Sequence, residues 1–247
     1  MTGGLTGMGR AIAVHLAREG AQVHIGARRG APAELTSALV EEFGDRIRFA
    51  RLDVRQTESC RRFVAEVLDG RGRVDILVNA AGVYEEAGIA GHSDQVWDDA
   101  IDTNLTGTFK MIREVMPAMV RQKWGRIVNI ASVAAHQGMA LNGAYCASKA
   151  GLLGLGRCVA LEGAAHGVTC NSVSPTWVET EMLKKFIDAE VAEGAPLAEV
   201  RARYEASNPQ GKLVQPEEVA ALVGYLVSDS ARALTMADYQ VNAGSLW

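Results

Sequence analysis

Residues 2–16 read Thr-Gly-Gly-Leu-Thr-Gly-Met-Gly-Arg-Ala-Ile-Ala-Val-His-Leu, and this stretch decides the fold class. Gly3, Gly7 and Gly9 allow the backbone to turn tightly and to approach a pyrophosphate closely. An apolar-periodic helix follows at once, and the free N–H groups at a helix N-terminus favour an anion. The stretch therefore predicts a dinucleotide-binding turn that leads into the first helix.

Downstream of this turn, short apolar runs alternate with helical stretches along the whole chain. The runs predict strands at 22–27, 46–52, 74–79, 126–130, 168–173 and 239–242. The helical stretches are 9–19, 33–43, 57–68, 95–121, 143–166 and 216–228. This rhythm predicts a parallel sheet with helices on both faces. We expect one domain over residues 1–247, with a Rossmann-type, doubly wound, three-layer α/β/α fold.

The segment 181–212 breaks the alternation because it is charged, rich in Ala and Glu, and helix-prone throughout. Ligands of such sheets bind beyond the carboxyl ends of the parallel strands. We expect a helical lid over a substrate at about 181–212, and a solvated helical excursion is the alternative.

Composition excludes several classes of protein. The chain has 247 residues, a net charge of −4 and 48% hydrophobic residues, which does not suit a nucleic-acid surface. It contains no apolar run of the roughly 18–20 residues that a membrane span needs. Its four cysteines are scattered, and neither they nor the five histidines have metal-ligand spacing. We expect a soluble cytoplasmic protein with no metal.

Tyr145 and Lys149 carry the strongest chemical signal. On the predicted helix 143–166 they are four residues apart and share one face. An ammonium beside a phenol lowers the phenol pKa, and the hydroxyl of Ser132 could bond the same substrate oxygen. This trio could pass a proton to or from a carbonyl or alcohol oxygen. The alternative is a packing tyrosine and a solvated lysine.

The end of the second predicted strand selects the cofactor. An acidic residue there would bond the ribose 2′-hydroxyl of NAD, but the chain has Ala27 followed by Arg28 and Arg29. A guanidinium fork suits a 2′-phosphate. We therefore predict NADP(H), with NAD as the alternative.

These features together resemble the short-chain dehydrogenase/reductase family over essentially the whole chain. The motifs that carry the resemblance are Thr2–Gly9, Asp53, Asn79–Gly82, Asn104 in Thr-Asn-Leu-Thr-Gly, Ser132, Tyr145 with Lys149, and Asn171–Pro175. The resemblance implies that Tyr145 is the general acid/base, Lys149 lowers its pKa and holds the ribose, Ser132 orients the substrate oxygen, and Asn104 organises a water. The implied cofactor-binding residues are Gly3, Thr6, Gly7, Met8, Gly9, Arg28, Arg29, Asp53, Val54, Asn79, Ala80, Gly82, Tyr145, Lys149, Pro175, Val178 and Thr180.

The chain departs from the family at its start. An apolar strand, central in the sheet, usually precedes the glycine turn, whereas Met1 stands directly before Thr2. We expect a fold without the usual first strand, and a gap of roughly 9–10 Å between its neighbours. We also expect that the natural start lies upstream.

The resemblance implies hydride transfer between NADP(H) and a secondary alcohol or ketone. Candidate substrates are a small polyol, a sugar, a hydroxy acid or a 3-oxoacyl compound. The residues expected to face the substrate are Val133, His136, Gln137, Met139, Asn142 and Trp177. The long helices 95–121 and 143–166 carry apolar residues beyond one stripe, and relatives are commonly homotetramers. The alternative function is a non-catalytic dinucleotide-binding or scaffold relative, which the missing strand motivates.

Overall fold

The computed structural model describes residues 1–28, 30 and 32–245. Its strands are β1 Val23–Ala27, β2 Ile47–Arg51, β3 Ile76–Asn79, β4 Gly125–Ile130, β5 Val168–Pro175 and β6 Asp238–Val241. Its α-helices are α1 Gly7–Arg18, α2 Ala33–Phe43, α3 Thr57–Arg71, α4 Asp94–Ala100, α5 Gly107–Gln122, α6 Gly143–Ala164, α7 Glu181–Ala192, α8 Leu197–Ala206 and α9 Pro216–Val227. A π-helical stretch, Ile101–Thr106, joins α4 to α5.

All strand pairs are parallel, in the order β2-β1 and β3-β4-β5-β6. Every residue of β4 and of β5 is buried, as expected for strands covered on both faces. Thr2 stands between the two halves of the sheet and forms parallel bridges to Gly26 and Asn79. Met1 and Gly3 also form backbone hydrogen bonds with β1. These three residues therefore lie between β1 and β3, where the sequence predicts that the usual first strand is missing.

Helices cover both faces of the sheet and define three layers. One apolar cluster joins α1 and α9 to the sheet through residues such as Ile12, Leu16 and Val223. A second cluster packs α3, α5 and α6 on the opposite face, with Phe63 and Met111 at its centre. These layers confirm the predicted doubly wound α/β class.

The segment after β5 forms its own small cluster. Leu183 and Ile187 of α7 pack with Val200 of α8 and with Leu213. The two helices lie where the sequence predicts a lid. The closing motion of that lid stays a prediction.

Crossing a membrane requires a long apolar helix, and none occurs within residues 1–28, 30 and 32–245. Over the same residues, no group of three or more His, Cys, Asp or Glu side chains is placed to hold a metal ion.

Candidate active site

The glycine turn lies where the strand order reverses. From Thr2 the chain leads outward to β1 and β2, and it then crosses back to β3 on the other side. In doubly wound sheets the ligand crevice opens at this point, beyond the carboxyl ends of the strands. A groove of about 500 Å³ occupies the position. The lining residues from the turn, from β1 and from the position after it are Gly3, Thr6, Gly7, Met8, Gly9, Gly26, Ala27 and Arg28.

The glycines of this turn have no room for side chains. A Cβ on Gly9 would lie 2.1 Å from the carbonyl oxygen of Gly3. Gly3 has a φ of +68°, and a Cβ there would lie 2.7 Å from the carbonyl oxygen of Ala80. Gly7 begins α1 with a φ of +49°, which favours glycine, and a Cβ there would lie 3.1 Å from the Cγ2 atom of Thr180. The bare turn and helix N-terminus fit a pyrophosphate.

Arg28 follows β1 and lies exposed at the edge of the groove, beside Ala27. Its predicted contact with the 2′-phosphate of a dinucleotide stays a prediction. The second predicted arginine, Arg29, lies outside the described residues.

Asp53 is held by an internal network rather than left free for the groove. Its carboxylate accepts hydrogen bonds from the backbone N–H and the guanidinium of Arg55, which also donates to Asp99. Burial of Asp53 opposes ionisation, but the bonds and charge of Arg55 hold its pKa below the usual range. The predicted contact of Asp53 with the cofactor stays a prediction, whereas its neighbour Val54 does line the groove.

The loop after β3 forms the opposite wall. Ala80 and Gly82 line the groove, and the N–H groups of Ala80 and Ala81 both donate to the hydroxyl of Thr2. Asn79 is buried below them, and its side chain donates to Asn129 on β4 at 2.9 Å. Asn79 thus joins two strands, and its expected packing along the cofactor stays a prediction.

Tyr145 and Ser132 meet at the inner end of the site. Ser132 follows β4, and Tyr145 lies in the first turn of α6. Burial raises the pKa of Tyr145 to about 12, while a hydrogen bond with Ser132 acts in the opposite direction. The sequence predicted a lowered pKa from the lysine charge alone. Tyr145 is partly buried at the wall of a cavity, and desolvation there outweighs the favourable contact, so the phenol stays neutral.

Lys149 lies one turn further along α6 and is 5% exposed. Its Nζ atom is 5.5 Å from the centroid of the Tyr145 ring and donates to the carbonyl oxygen of Ile130 at 2.8 Å. Burial lowers the pKa of Lys149 to about 8. A Cβ on Gly82 would lie 3.8 Å from this Nζ, so the lysine reaches the floor of the groove.

Asn104 lies in the π-helical stretch, and its amide is fully engaged. Its Oδ1 accepts from the N–H of Val83 at 2.8 Å, and its Nδ2 donates to the carbonyl oxygen of Val83 and to Ser148 at 3.0 Å. Ser148 in turn donates to the carbonyl oxygen of Tyr145 at 2.8 Å. Asn104 therefore ties the groove wall to the first turn of α6, and its expected role toward a water stays a prediction.

A second cavity, of about 290 Å³, opens directly from Ser132 and Tyr145. Its lining includes the predicted substrate residues Val133, Gln137, Met139 and Trp177. It also includes Pro175, Val178 and Thr180, which are predicted to bind the cofactor. Phe186 of α7 closes one side of the cavity. The ring of Tyr84 packs edge-on between Tyr145 and Phe186, with centroids 4.8 Å from each. Tyr84 and Phe186 border both cavities, so the groove and the substrate cavity meet beside Tyr145.

Two predicted substrate residues have other partners. The Nε2 atom of His136 lies 2.7 Å from the Oδ2 atom of Asp238 on β6, and Ser174 donates to the other carboxylate oxygen. Asn142 is buried just before α6, where its side chain donates to the carbonyl oxygen of Ala140. Neither side chain lines the 290 Å³ cavity, so their contact with a substrate stays a prediction.

Sequence reasoning missed Ser148 and Arg55. Ser148 is three residues after Tyr145 and directly precedes Lys149, so its position on the same helix was a usable signal. Arg55 is two residues after Asp53, but the fold determines whether its guanidinium binds that carboxylate or extends into solvent.

Comparison with known proteins agrees with this geometry. Residues 3–245 match the family model described as enoyl-(acyl carrier protein) reductase. The putative ketoacyl reductase of the monensin polyketide synthase from Streptomyces virginiae is 38% identical over 247 residues, covering 99% of this chain and 95% of that protein. The 3-oxoacyl-[acyl-carrier-protein] reductase FabG of Vibrio cholerae serotype O1 is 36% identical, with coverages of 99% and 95%.

Comparison with solved structures finds the same kind of relative. A variant of actinorhodin polyketide ketoreductase with NADPH superposes with a TM-score of 0.91 at 36% identity, covering 99% of this chain and 95% of that one. At this coverage the match includes the glycine turn, Tyr145 with Lys149, and the helices α7 and α8. The chain belongs to the short-chain dehydrogenase/reductase family of NAD(P)-dependent oxidoreductases.

Proposed function

We propose that this chain uses NADPH to reduce the ketone of a 3-oxoacyl-type substrate to a secondary alcohol. The observation that carries the proposal is the placement of Tyr145 and Ser132 where the groove and the apolar cavity meet. A neutral phenol at this junction is ready to donate a proton. When bound in the groove, the dinucleotide supplies the hydride.

Tyr145 performs the proton transfer in this proposal. Its O–H donates to the ketone oxygen as that oxygen gains negative charge, and Ser132 donates a second hydrogen bond to the same oxygen. The phenolate that remains is then stabilised by the ammonium of Lys149, which has no carboxylate partner among the described residues. Burial raises the pKa of the resting phenol to about 12, so Tyr145 begins in the neutral form that proton donation requires.

The glycine turn and Arg28 hold the cofactor. The N–H groups at the start of α1 face the pyrophosphate position, and Arg28 meets the 2′-phosphate. The NADPH named with the actinorhodin relative supports this preference. Ala27 has no carboxylate that would favour NAD.

The substrate cavity favours an acyl ketone over a polyol or a sugar. Its walls include Val133, Met139, Trp177 and Phe186, which offer extensive apolar contact to an acyl chain. Polar side chains such as Ser132, Gln137 and Thr176 also line it. The names of the two curated relatives, a ketoacyl reductase and a 3-oxoacyl reductase, point to the same class.

Consumption of reduced nicotinamide would test the proposal. Purified chain is given NADPH or NADH with a 3-oxoacyl thioester, a cyclic ketone, a ketose and a 2-oxo acid. We expect the thioester with NADPH to be the fastest pair. Tyr145→Phe should abolish most turnover, while Tyr225→Phe, an exposed tyrosine on α9, should leave it unchanged. Dinucleotide binding without turnover of any ketone would favour the non-catalytic alternative instead.

A cytoplasmic location and a homotetrameric assembly stay predictions from the sequence. Light scattering on the purified chain measures the assembly directly.

A further inference from the structure

Asp238, the first residue of β6, joins two segments that form walls of the 290 Å³ cavity. Its Oδ2 atom lies 2.7 Å from the Nε2 atom of His136, and its Oδ1 atom accepts from the hydroxyl of Ser174 at 2.7 Å. The side chain of Asp238 is 14% exposed, so water competes little for either oxygen. One carboxylate therefore ties the loop after β4 to the end of β5.

Ser174 orients this carboxylate. Backbone pairing already places Ser174 beside β6, since residues 172–175 of β5 pair in parallel with residues 238–241. Its buried hydroxyl donates to one oxygen of Asp238, which leaves the other oxygen directed at His136. A carboxylate only accepts hydrogen bonds, so the Nε2 atom of His136 carries the hydrogen of its bond.

His136 lies in a loop that forms one wall of the cavity, residues 133–139, which we call the cavity loop. A short 3₁₀ turn, Val133–Ala135, precedes His136, whose N–H donates to the carbonyl oxygen of Val133. Beyond His136, a Cβ on Gly138 would meet no heavy atom within 4 Å. The cavity loop is therefore packed at its start and open at Gly138. The contact with Asp238 fixes the loop where it becomes open.

Gln137 is the residue that this contact places. It directly follows His136, and its side chain lines the cavity. Its amide can both donate and accept a hydrogen bond, and a few such groups orient a ligand within an apolar pocket. Asp238 and His136 themselves line neither the cavity nor the dinucleotide groove. Any effect of the pair on a substrate therefore passes through the cavity loop.

We propose that Asp238 and His136 are positioning residues, which hold the cavity loop so that Gln137 meets the bound ketone. The inference rests on the proposed reduction of a ketone. The pair acts on substrate binding, because the proton donor Tyr145 lies on α6 and the dinucleotide groove lies on the other side of Tyr145.

Steady-state kinetics of Asp238→Ala tests the proposal. We expect the KM for the 3-oxoacyl thioester to rise at least about tenfold, while kcat and the Kd for NADPH stay within about threefold. Asp238→Asn keeps an acceptor for Ser174 and can donate to the other neutral tautomer of His136, so its KM should stay within about threefold of the wild type. Asp69→Ala, which removes an exposed aspartate of α3, is the matched control.

Hydrogen exchange on the full chain gives a readout that needs no turnover. The N–H of Ala135 donates to the carbonyl oxygen of Ser132 within the cavity loop. It should exchange at least about tenfold faster in Asp238→Ala and in His136→Ala than in the wild type or Asp69→Ala. The double variant should exchange no faster than Asp238→Ala, because both changes break the same bond. Circular dichroism checks folding, and the more exposed His136→Ala carries both tests if Asp238→Ala does not fold.

Unchanged exchange at Ala135 would overturn the proposal, whether or not the chain reduces a ketone. An unchanged KM would also overturn it, as would a loss of kcat or of NADPH binding as large as the rise in KM, which would indicate general damage to the fold. A wild type that reduces no ketone would refute the function proposed above, and the exchange at Ala135 would then decide the role of the pair by itself.

Discussion

Replacing Lys149 with methionine should make the protein more stable while removing its activity. The lysine is 5% exposed, and burial lowers its pKa from 10.5 to about 8. A shift of this size corresponds to about 3 kcal/mol of unfavourable free energy for the buried charge. The substitution also removes the hydrogen bond to Ile130, worth about 1 kcal/mol. We therefore expect Lys149→Met to raise the free energy of unfolding by about 2 kcal/mol near neutral pH.

The effect should depend on pH with a definite sign. Below about pH 8 the lysine is charged in both the folded and the unfolded protein, so the full cost of its burial is present. Between pH 8 and 10.5 the folded protein has lost this proton and the unfolded chain has kept it. The wild type therefore gains stability as pH rises through this window. The advantage of the variant should shrink to below about 1 kcal/mol near pH 9.5.

Urea denaturation followed by circular dichroism at the two pH values measures this difference. Lys184→Met is the matched control, because it removes an exposed ammonium of α7 and should change stability by less than about 1 kcal/mol at either pH. A Lys149→Met protein less stable than the wild type near neutral pH would refute the reasoning. So would a stability difference that is the same at both pH values.

Three further substitutions test the site itself. Arg28→Glu should raise the KM for NADPH at least about tenfold and leave that for NADH nearly unchanged, which steady-state kinetics with both cofactors would show. Gly9→Ala should lower the free energy of unfolding by about 1–3 kcal/mol, since its Cβ would collide with the carbonyl oxygen of Gly3; urea denaturation measures this. Tyr145→Phe should lower kcat at least about 100-fold while the Kd for NADPH, measured by fluorescence, stays within about threefold; an unchanged kcat would contradict the assignment.

The sequence was sufficient for the fold because its signals are local. The glycine turn can be recognised from spacing alone, and the alternation of strand-like and helical stretches predicts the sheet. The complete burial of β4 and β5 is less evident from the sequence, because both strands contain polar residues such as Asn129 and Asn171. Each predicted strand lies within two residues of the observed one at its start and its end. The π-helical stretch inside the predicted helix 95–121 could not be foreseen, because its cause is the set of tertiary hydrogen bonds made by Asn104.

The electrostatic state of the site could not be read from the sequence. A lysine four residues from a tyrosine suggests an acidic phenol, but the sequence does not give the depth of burial. In the structure desolvation raises the pKa of Tyr145 and lowers that of Lys149, so both side chains move away from their charged forms. The contact between His136 and Asp238 could not be predicted either, since the two residues are 102 positions apart along the chain.

Thr2 links the sheet to the groove. Its backbone bridges β1 and β3, while its hydroxyl accepts hydrogen bonds from the N–H groups of Ala80 and Ala81 in the groove wall. The loop after β3 is therefore held against the glycine turn by the same residue that joins the two halves of the sheet.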